Sequence, residues 1–372
     1  MQLPEHGANP RHVYEKLGMT LPARILDFSE NCNPAGPPRA VVELWPDLLS
    51  RLHAYPDPSG EPFLSKAADY HGVSKTSVIA GNGAAEILSF IAERYRGRRA
   101  IVIHPTFSEY EATLRAKGVE IERIIASEVD GFRLPVEEVL PRLSAASVLY
   151  LCTPNNPTGI MPEREDLLAI IRKAGKVGCE VVLDEAFIDF IDESKSFIPE
   201  LNEFPHVIVV RSMTKMYAIP GIRLGYTVAH PEVISSLKTT APHWNVNGMA
   251  AAIGAVCLGQ DAYREAAIRH AWEEREKMTA FLKEFGCTVT DSVANFLSFK
   301  PEDAGKLYKE MLAKGIVLRH SENFRGMDGR WLRIGMKSSA EMEKLRRELA
   351  DWFAGDAEIN NYRHDEASVS LE

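Results

Sequence analysis

Ser212, Thr214, Lys215 and Arg223 fall in one short stretch, Arg211 to Tyr226. Two hydroxyls, an amine and a guanidinium this close together can hold a phosphate beside an amine. The stretch follows the apolar run His206 to Val210 and precedes another, Leu224 to Ala229, so it reads as a loop between two strands. An amine next to a bound phosphate points to a lysine that forms a Schiff base with the aldehyde of pyridoxal phosphate. Standing alone, Ser-x-Thr-Lys is more commonly a solvated loop; the other polar clusters reverse that reading.

Asp184 ends the apolar run Glu180 to Asp184. An unpaired carboxylate there would be costly, so it needs a cationic partner such as a protonated pyridine nitrogen. Gly81-Asn82-Gly83 leads from a short strand into an amphipathic helix, which aims the first backbone N–H groups, those of Gly83 and Ala84 included, at an anion. Phe107 follows the next strand and can stack on a ring face. Asn156, within Asn155-Asn-Pro-Thr-Gly159, can donate its amide to a ring oxygen. Each feature also has an ordinary alternative: a strand-end salt bridge, a core aromatic, a tight turn.

Strands and helices alternate from Ser77 to Ala229, and the near-continuous apolar strands predict an α/β fold with a mostly parallel sheet covered on both faces. Every polar cluster falls after a strand, where ligands of such sheets collect. Residues 1–40, rich in Pro, Asn and Gly, read as an N-terminal arm, 41–240 as the large domain, 241–355 as a smaller α+β domain and 356–372 as a disordered tail. A long helical region is expected over Trp244 to Phe285, a strand over Ile316 to Arg319 and a last helix over Ala340 to Phe353.

The chain has 372 residues, 45% of them hydrophobic and 26% charged, which is ordinary globular composition with room for a sizeable core. A formal charge of -9 argues against binding nucleic acid through a basic surface. Five scattered cysteines lack metal or redox spacing, and no segment has the length and apolarity of a membrane span. With no apolar signal core near Met1, the expected location is the cytoplasm.

Taken together, Asn155-Asn-Pro-Thr-Gly159, Asp184-Glu-Ala-Phe187, Ser212-Met-Thr-Lys215, Gly221-Ile-Arg223 and Trp331-Leu-Arg333 resemble the fold-type I pyridoxal-phosphate enzymes of the aspartate aminotransferase superfamily, over roughly residues 5–355. The resemblance implies that Lys215 is the Schiff-base lysine and Asp184 the pyridinium partner. It also implies that Asn156 holds the 3-oxygen and that Phe107 stacks on the ring. Gly83, Ala84, Ser212, Thr214 and Arg223 would hold the cofactor phosphate, and Tyr55 would reach the neighbouring subunit's cofactor in a homodimer. Arg333 resembles the arginine that clamps a substrate carboxylate. No metal is implied.

Within the superfamily, His6-Gly7-Ala8-Asn9, Asp27 to Pro38, Asp184 to Phe190, and Arg319 ahead of Asn323-Phe-Arg-Gly326 resemble the threonine-phosphate decarboxylases of cobalamin biosynthesis, relatives of the histidinol-phosphate aminotransferases. That likeness implies a substrate such as O-phospho-L-threonine or O-phosphoserine, bound by His6, Gly7, Asn156, Arg319 and Arg333, with Arg325 a further phosphate ligand. Two departures stand out. Ala8 replaces a glycine of the family, and Phe187 occupies the place of a tyrosine that the aminotransferase branch carries, which favours decarboxylation over transamination.

Overall fold

The computed structural model describes residues 3, 4 and 6–369, with side chains described through 355. Its centre is a seven-stranded sheet in the spatial order Val78–Gly81, Gly225–Ala229, Val207–Ser212, Glu180–Asp184, Val148–Cys152, Arg99–His104, Glu120–Ile125. Gly225–Ala229 runs antiparallel to both neighbours and the other pairings are parallel. The central strands are buried along their length (Val-Leu-Tyr-Leu-Cys in Val148–Cys152), as a sheet covered on both faces requires. The fold is thus the α/β architecture with a mostly parallel sheet that the alternation predicts. The helix Arg164–Val177 is ended by its αL cap Gly178 (φ 75°).

A second core gathers around a four-stranded antiparallel sheet in the order Arg319–His320, Leu332–Gly335, Phe296–Lys300, Thr288–Val289. The arm contributes to it. Pro10–Leu17 is a helix capped by the Asn9 side chain, and Val13, Tyr14, Leu26 and Phe28 pack into this core. Leu26–Asp27 pairs in parallel with Ile316–Val317, whereas Arg319–His320 joins the four-stranded sheet. The single strand predicted over Ile316 to Arg319 is therefore two short ones, serving two sheets. The helical region expected over Trp244 to Phe285 is likewise two helices, Gly248–Cys257 and Asp261–Glu284. The first is apolar on all sides and packs in the core of the large sheet, beyond the boundary drawn at 240. The last helix runs Ser339–Val369, and the tail expected over 356–372 lies outside the residues whose side chains are described.

Glu185 and Asp189, which follow the strand carrying Asp184, serve the architecture. Arg211 is fully buried, and its guanidinium donates to Asp189 (2.6 Å) and Glu193 (2.8 Å) and lies 3.6 Å from Glu185. A charge this deep is tolerated only when its donors are satisfied by counter-ions.

Candidate active site

The carboxyl ends of the parallel strands and the loop after Val207–Ser212 enclose a cleft with about 550 Å³ of unfilled space. Ala84, Phe107, Asn156, Asp184, Ser212, Thr214, Lys215 and Arg223 all line it, in company with Tyr110, Cys152 and Phe187. Eight residues proposed from scattered parts of the sequence thus share one wall system. Gly83 stands at its rim as the N-cap of the helix Ala84–Arg94.

The anion seat has the expected construction. Gly83 has φ 88°, a left-handed value suited to glycine, and no side chain caps the helix it begins. A Cβ on Gly83 would lie 2.5 Å from Arg223 Nη2, and one on Gly225 2.6 Å from the Ala84 nitrogen. Two missing side chains therefore let the guanidinium and the helix N-terminus converge. Arg223, itself at φ 58°, donates Nη1 to the Pro220 carbonyl. Ser212 Oγ and Thr214 Oγ1 are 3.0 Å apart, and Lys215 Nζ donates to Ser212 Oγ at 2.9 Å. A phosphate seated there meets backbone N–H groups, two hydroxyls and a guanidinium beside an amine, which fits pyridoxal phosphate.

Lys215 is half-buried, and its Nζ lies 5.5 Å from the centre of the Phe187 ring. Burial lowers its pKa against the pull of Asp184, so the amine gives up its proton more readily than a surface lysine. Asp184 is 3% exposed, and burial raises its pKa while the Tyr110 hydroxyl, Lys215 and the Ala186 N–H oppose that rise. Its cationic partner is not a neighbouring arginine; Tyr110 (2.7 Å) and the Ala186 nitrogen (3.0 Å) are its hydrogen-bond donors. Sequence reasoning missed Tyr110, although Phe107-x-x-Tyr110 has the spacing that puts both rings at one helix start.

Arg333 stands on the second sheet and closes the cleft through Asn156. One guanidinium nitrogen donates to Asn156 Oδ1 and the other to the Ser29 carbonyl at 2.7 Å. Arg319 is its direct partner across the antiparallel pair, so the two buried arginines share a face. Burial, and for Arg333 also the neighbouring Arg319, brings Arg333 down to about 9 and Arg319 to about 10. Arg319 donates to the His320 carbonyl (2.9 Å) and to Asn323 Oδ1 (2.6 Å) and is not among the residues lining the cleft.

The other proposed residues are more scattered. His6 Nε2 lies 3.0 Å from Glu109 Oε1, with its ring edge-on to Phe107 at 5.9 Å, so its place at the mouth of the site comes with a carboxylate that the sequence did not announce. Gly7 presses on Ser29, whose carbonyl oxygen would be 2.4 Å from a Cβ. Ala8 has φ 65°, the left-handed conformation that makes glycine the family's usual residue here. Arg325 is more than half exposed and 3.9 Å from Glu111. Tyr55 is 86% exposed and meets Trp244 at 5.3 Å, far out on the surface of the single chain. Asn33, within the Asp27 to Pro38 stretch, was given no role: its N–H donates to the Lys215 carbonyl (2.9 Å) and its amide to Met216 O (3.1 Å), anchoring the arm to the lysine's loop. Among the described residues no group of His, Cys, Asp and Glu could hold a metal ion, and no helix is long and apolar enough to cross a membrane.

Comparison with known proteins places this geometry in a family. The family model for aminotransferase class I and II matches residues 23–349. A threonine-phosphate decarboxylase of Salmonella typhimurium is 37% identical over 356 residues, covering 94% of this chain and 97% of that protein. A histidinol-phosphate aminotransferase of Desulfitobacterium hafniense is 32% identical, covering 88% of this chain and 91% of its own length. Among solved structures, the histidinol-phosphate aminotransferase of Clostridium acetobutylicum superposes with a TM-score of 0.85 at 27% identity, over 89% of this chain and all of that one. The L-threonine-O-3-phosphate decarboxylase of Porphyromonas gingivalis has the same fold, with a TM-score of 0.77 over 88% of this chain and 99% of that one, at 24% identity. The chain belongs to the class I and II aminotransferase family and is a pyridoxal-phosphate enzyme.

Proposed function

We propose that the protein removes the carboxylate of O-phospho-L-threonine, or of a close phosphorylated amino acid such as O-phosphoserine, releasing carbon dioxide and an aminoalkyl phosphate for cobalamin side-chain synthesis. The carrying observation is the pairing of Arg319 with Arg333 across the antiparallel strands, both buried, with Arg333 hydrogen-bonded to Asn156 on the cleft wall. In this reading Arg333 takes the substrate carboxylate and Arg319 its phosphate, assisted by His6 and the backbone of Gly7. The full-length similarity to the Salmonella decarboxylase supports the same reading.

Bound pyridoxal phosphate supplies an electron sink for the bond broken at the substrate's α carbon. The chain's own residues set which bond that is. Ser212, Thr214, Arg223 and the start of Ala84–Arg94 would hold the cofactor phosphate, with Asp184 to serve the ring nitrogen, Asn156 the 3-oxygen and Phe107 the ring face. Arg333 and Asn156, hydrogen-bonded to each other, orient the substrate carboxylate. Lys215 would hold the cofactor through Nζ and would supply the proton taken up at the α carbon.

The second reading, transamination of a histidinol-phosphate-like substrate, is favoured by the similarity to the Desulfitobacterium aminotransferase. Mass analysis after mixing the loaded enzyme with O-phospho-L-threonine separates the two. Aminoalkyl phosphate with release of carbon dioxide supports decarboxylation; a keto acid formed with consumption of 2-oxoglutarate overturns it.

We further propose a cytoplasmic homodimer. Val42, Trp45, Leu49, Leu52, Tyr55 and Trp244 are all exposed on the single chain, an apolar display that a second copy would cover while bringing Tyr55 to its cofactor. Sedimentation showing a monomer at micromolar concentration would remove this proposal.

A further inference from the structure

Among the described residues Asp184 accepts two hydrogen bonds, one at each carboxylate oxygen. The Ala186 N–H donates to Oδ1 at 3.0 Å and the Tyr110 hydroxyl to Oδ2 at 2.7 Å. Tyr110 is fully buried, as is nearly all of Asp184. Burial and the charge of Asp184 hold the phenol well above its ordinary pKa, so the proton stays on Tyr110 and the bond has a fixed direction. A donor aimed at a carboxylate favours its charged form and opposes the effect of burial.

The same side chain touches a second wall of the cleft. The Tyr110 ring meets Phe107 edge-on, with centroids 5.8 Å apart and planes at 86°. On its other flank it packs at 5.6 Å against Tyr150, whose ring is tilted by 43°. The local chain fixes this arrangement, because Tyr110 lies in the first turn of the helix Glu109–Ala116 and its N–H reaches back to the Phe107 carbonyl (3.4 Å). Tyr110 therefore connects the residue at the ring face with the residue at the nitrogen edge.

We propose that Tyr110 is a positioning residue for the cofactor: its hydroxyl keeps Asp184 ionised and aimed at the pyridine nitrogen while its ring sets the angle of Phe107. The proposal rests on the reading of Asp184 as the partner of that nitrogen. Tyr110 needs no contact with the substrate and acts through its two neighbours.

Tyr110→Phe keeps the ring and removes only the donor, and Tyr110→Leu removes both. Dialysis of the holoenzymes gives the dissociation constant for pyridoxal phosphate, and absorbance gives the pH midpoint of the bound cofactor's visible band. Losing a hydrogen bond to a charged group is expected to weaken cofactor binding in Tyr110→Phe by roughly tenfold to a hundredfold. The pH midpoint is expected to move, because the carboxylate facing the ring is more easily protonated. Tyr110→Leu is expected to bind more weakly still. Asp184→Asn should lose at least as much as Tyr110→Phe, and adding Tyr110→Phe to it should cost little more. Wild-type affinity and an unmoved midpoint in Tyr110→Phe, with Asp184→Asn impaired, would overturn the role of Tyr110 alone. Wild-type behaviour in Asp184→Asn would overturn the reading of Asp184 and the proposal with it.

Discussion

Arg319 and Arg333 stand directly opposite each other on antiparallel strands, both buried, and Arg333 is fastened to Asn156 on the cleft wall. In the proposed function this pair takes the two anionic groups of the substrate, the carboxylate on Arg333 and the phosphate on Arg319.

The two arginines should fail differently when replaced. Arg333→Lys keeps a charge but loses the planar fork that bonds Asn156 and Ser29, so kcat/KM is expected to fall roughly tenfold to a hundredfold with cofactor affinity nearly unchanged. Arg319→Lys is expected to raise KM for the phosphorylated substrate while leaving the slower turnover of an unphosphorylated amino acid untouched. Steady-state kinetics with threonine and O-phosphothreonine distinguishes these outcomes; equal losses on both substrates would argue against a phosphate on Arg319.

Lys215 predicts a pH dependence. Its folded-state pKa lies below the ordinary lysine value, so between the two values the unfolded chain carries a proton that the native amine lacks. The apoenzyme should therefore gain stability as pH rises through that window, and capture of pyridoxal phosphate should speed up over the same range. The capture rate is expected to level off at a lower pH than the reaction of free lysine with the cofactor. Stopped-flow absorbance measures it, and a rate still climbing where free lysine titrates would contradict a depressed pKa. In Lys215→Ala, borohydride should fix no cofactor to the chain, as read by intact mass.

The loop His6 to Ala8 reports on Arg333 through Ser29. Ser29 accepts from Arg333 by its carbonyl and from the Ala8 nitrogen by its hydroxyl at 3.1 Å, and Gly7 presses against it. Gly7→Ala places a methyl 2.4 Å from that carbonyl, so the loop must move away. Overpacking of this kind costs about 1–3 kcal/mol, and kcat/KM should fall about tenfold with cofactor binding intact. Ala8→Gly relieves a left-handed alanine and should raise the melting temperature slightly or leave it unchanged. Thermal denaturation of both variants checks the pair.

Arg211 should matter for stability instead of chemistry. Arg211→Met leaves Asp189, Glu193 and Glu185 without their shared cation, and a loss of about 3–5 kcal/mol in chemical denaturation is expected. Once folded, the variant should bind the cofactor normally. A variant as stable as the parent would show that these acids are satisfied without Arg211.

Much of the cleft was legible in the sequence because its residues sit at strand ends, where period and composition mark the elements and the sheet topology does the rest. Lys215, Asp184, Asn156 and Phe107 each follow an apolar run, so the order of runs along the chain already gathers them. Tyr110 was hidden because its partner Asp184 lies 74 residues away, and no local pattern announces a hydrogen bond between the start of a helix and the end of a distant strand. Arg319 looked like the end of one strand until the chain switched from pairing with Leu26–Asp27 to pairing with Leu332–Gly335. The arm shows the same limit: its Pro, Asn and Gly content spoke of turns, yet Asn33 donates to the Lys215 carbonyl and Ser29 accepts from Arg333, two partners that belong to different cores. Local propensity and hydrophobic period determined the elements and the chemical groups they carry. Which groups share a proton, neutralise a charge or face each other across a sheet was decided only by tertiary packing, because those energies depend on distance and burial rather than on separation along the chain.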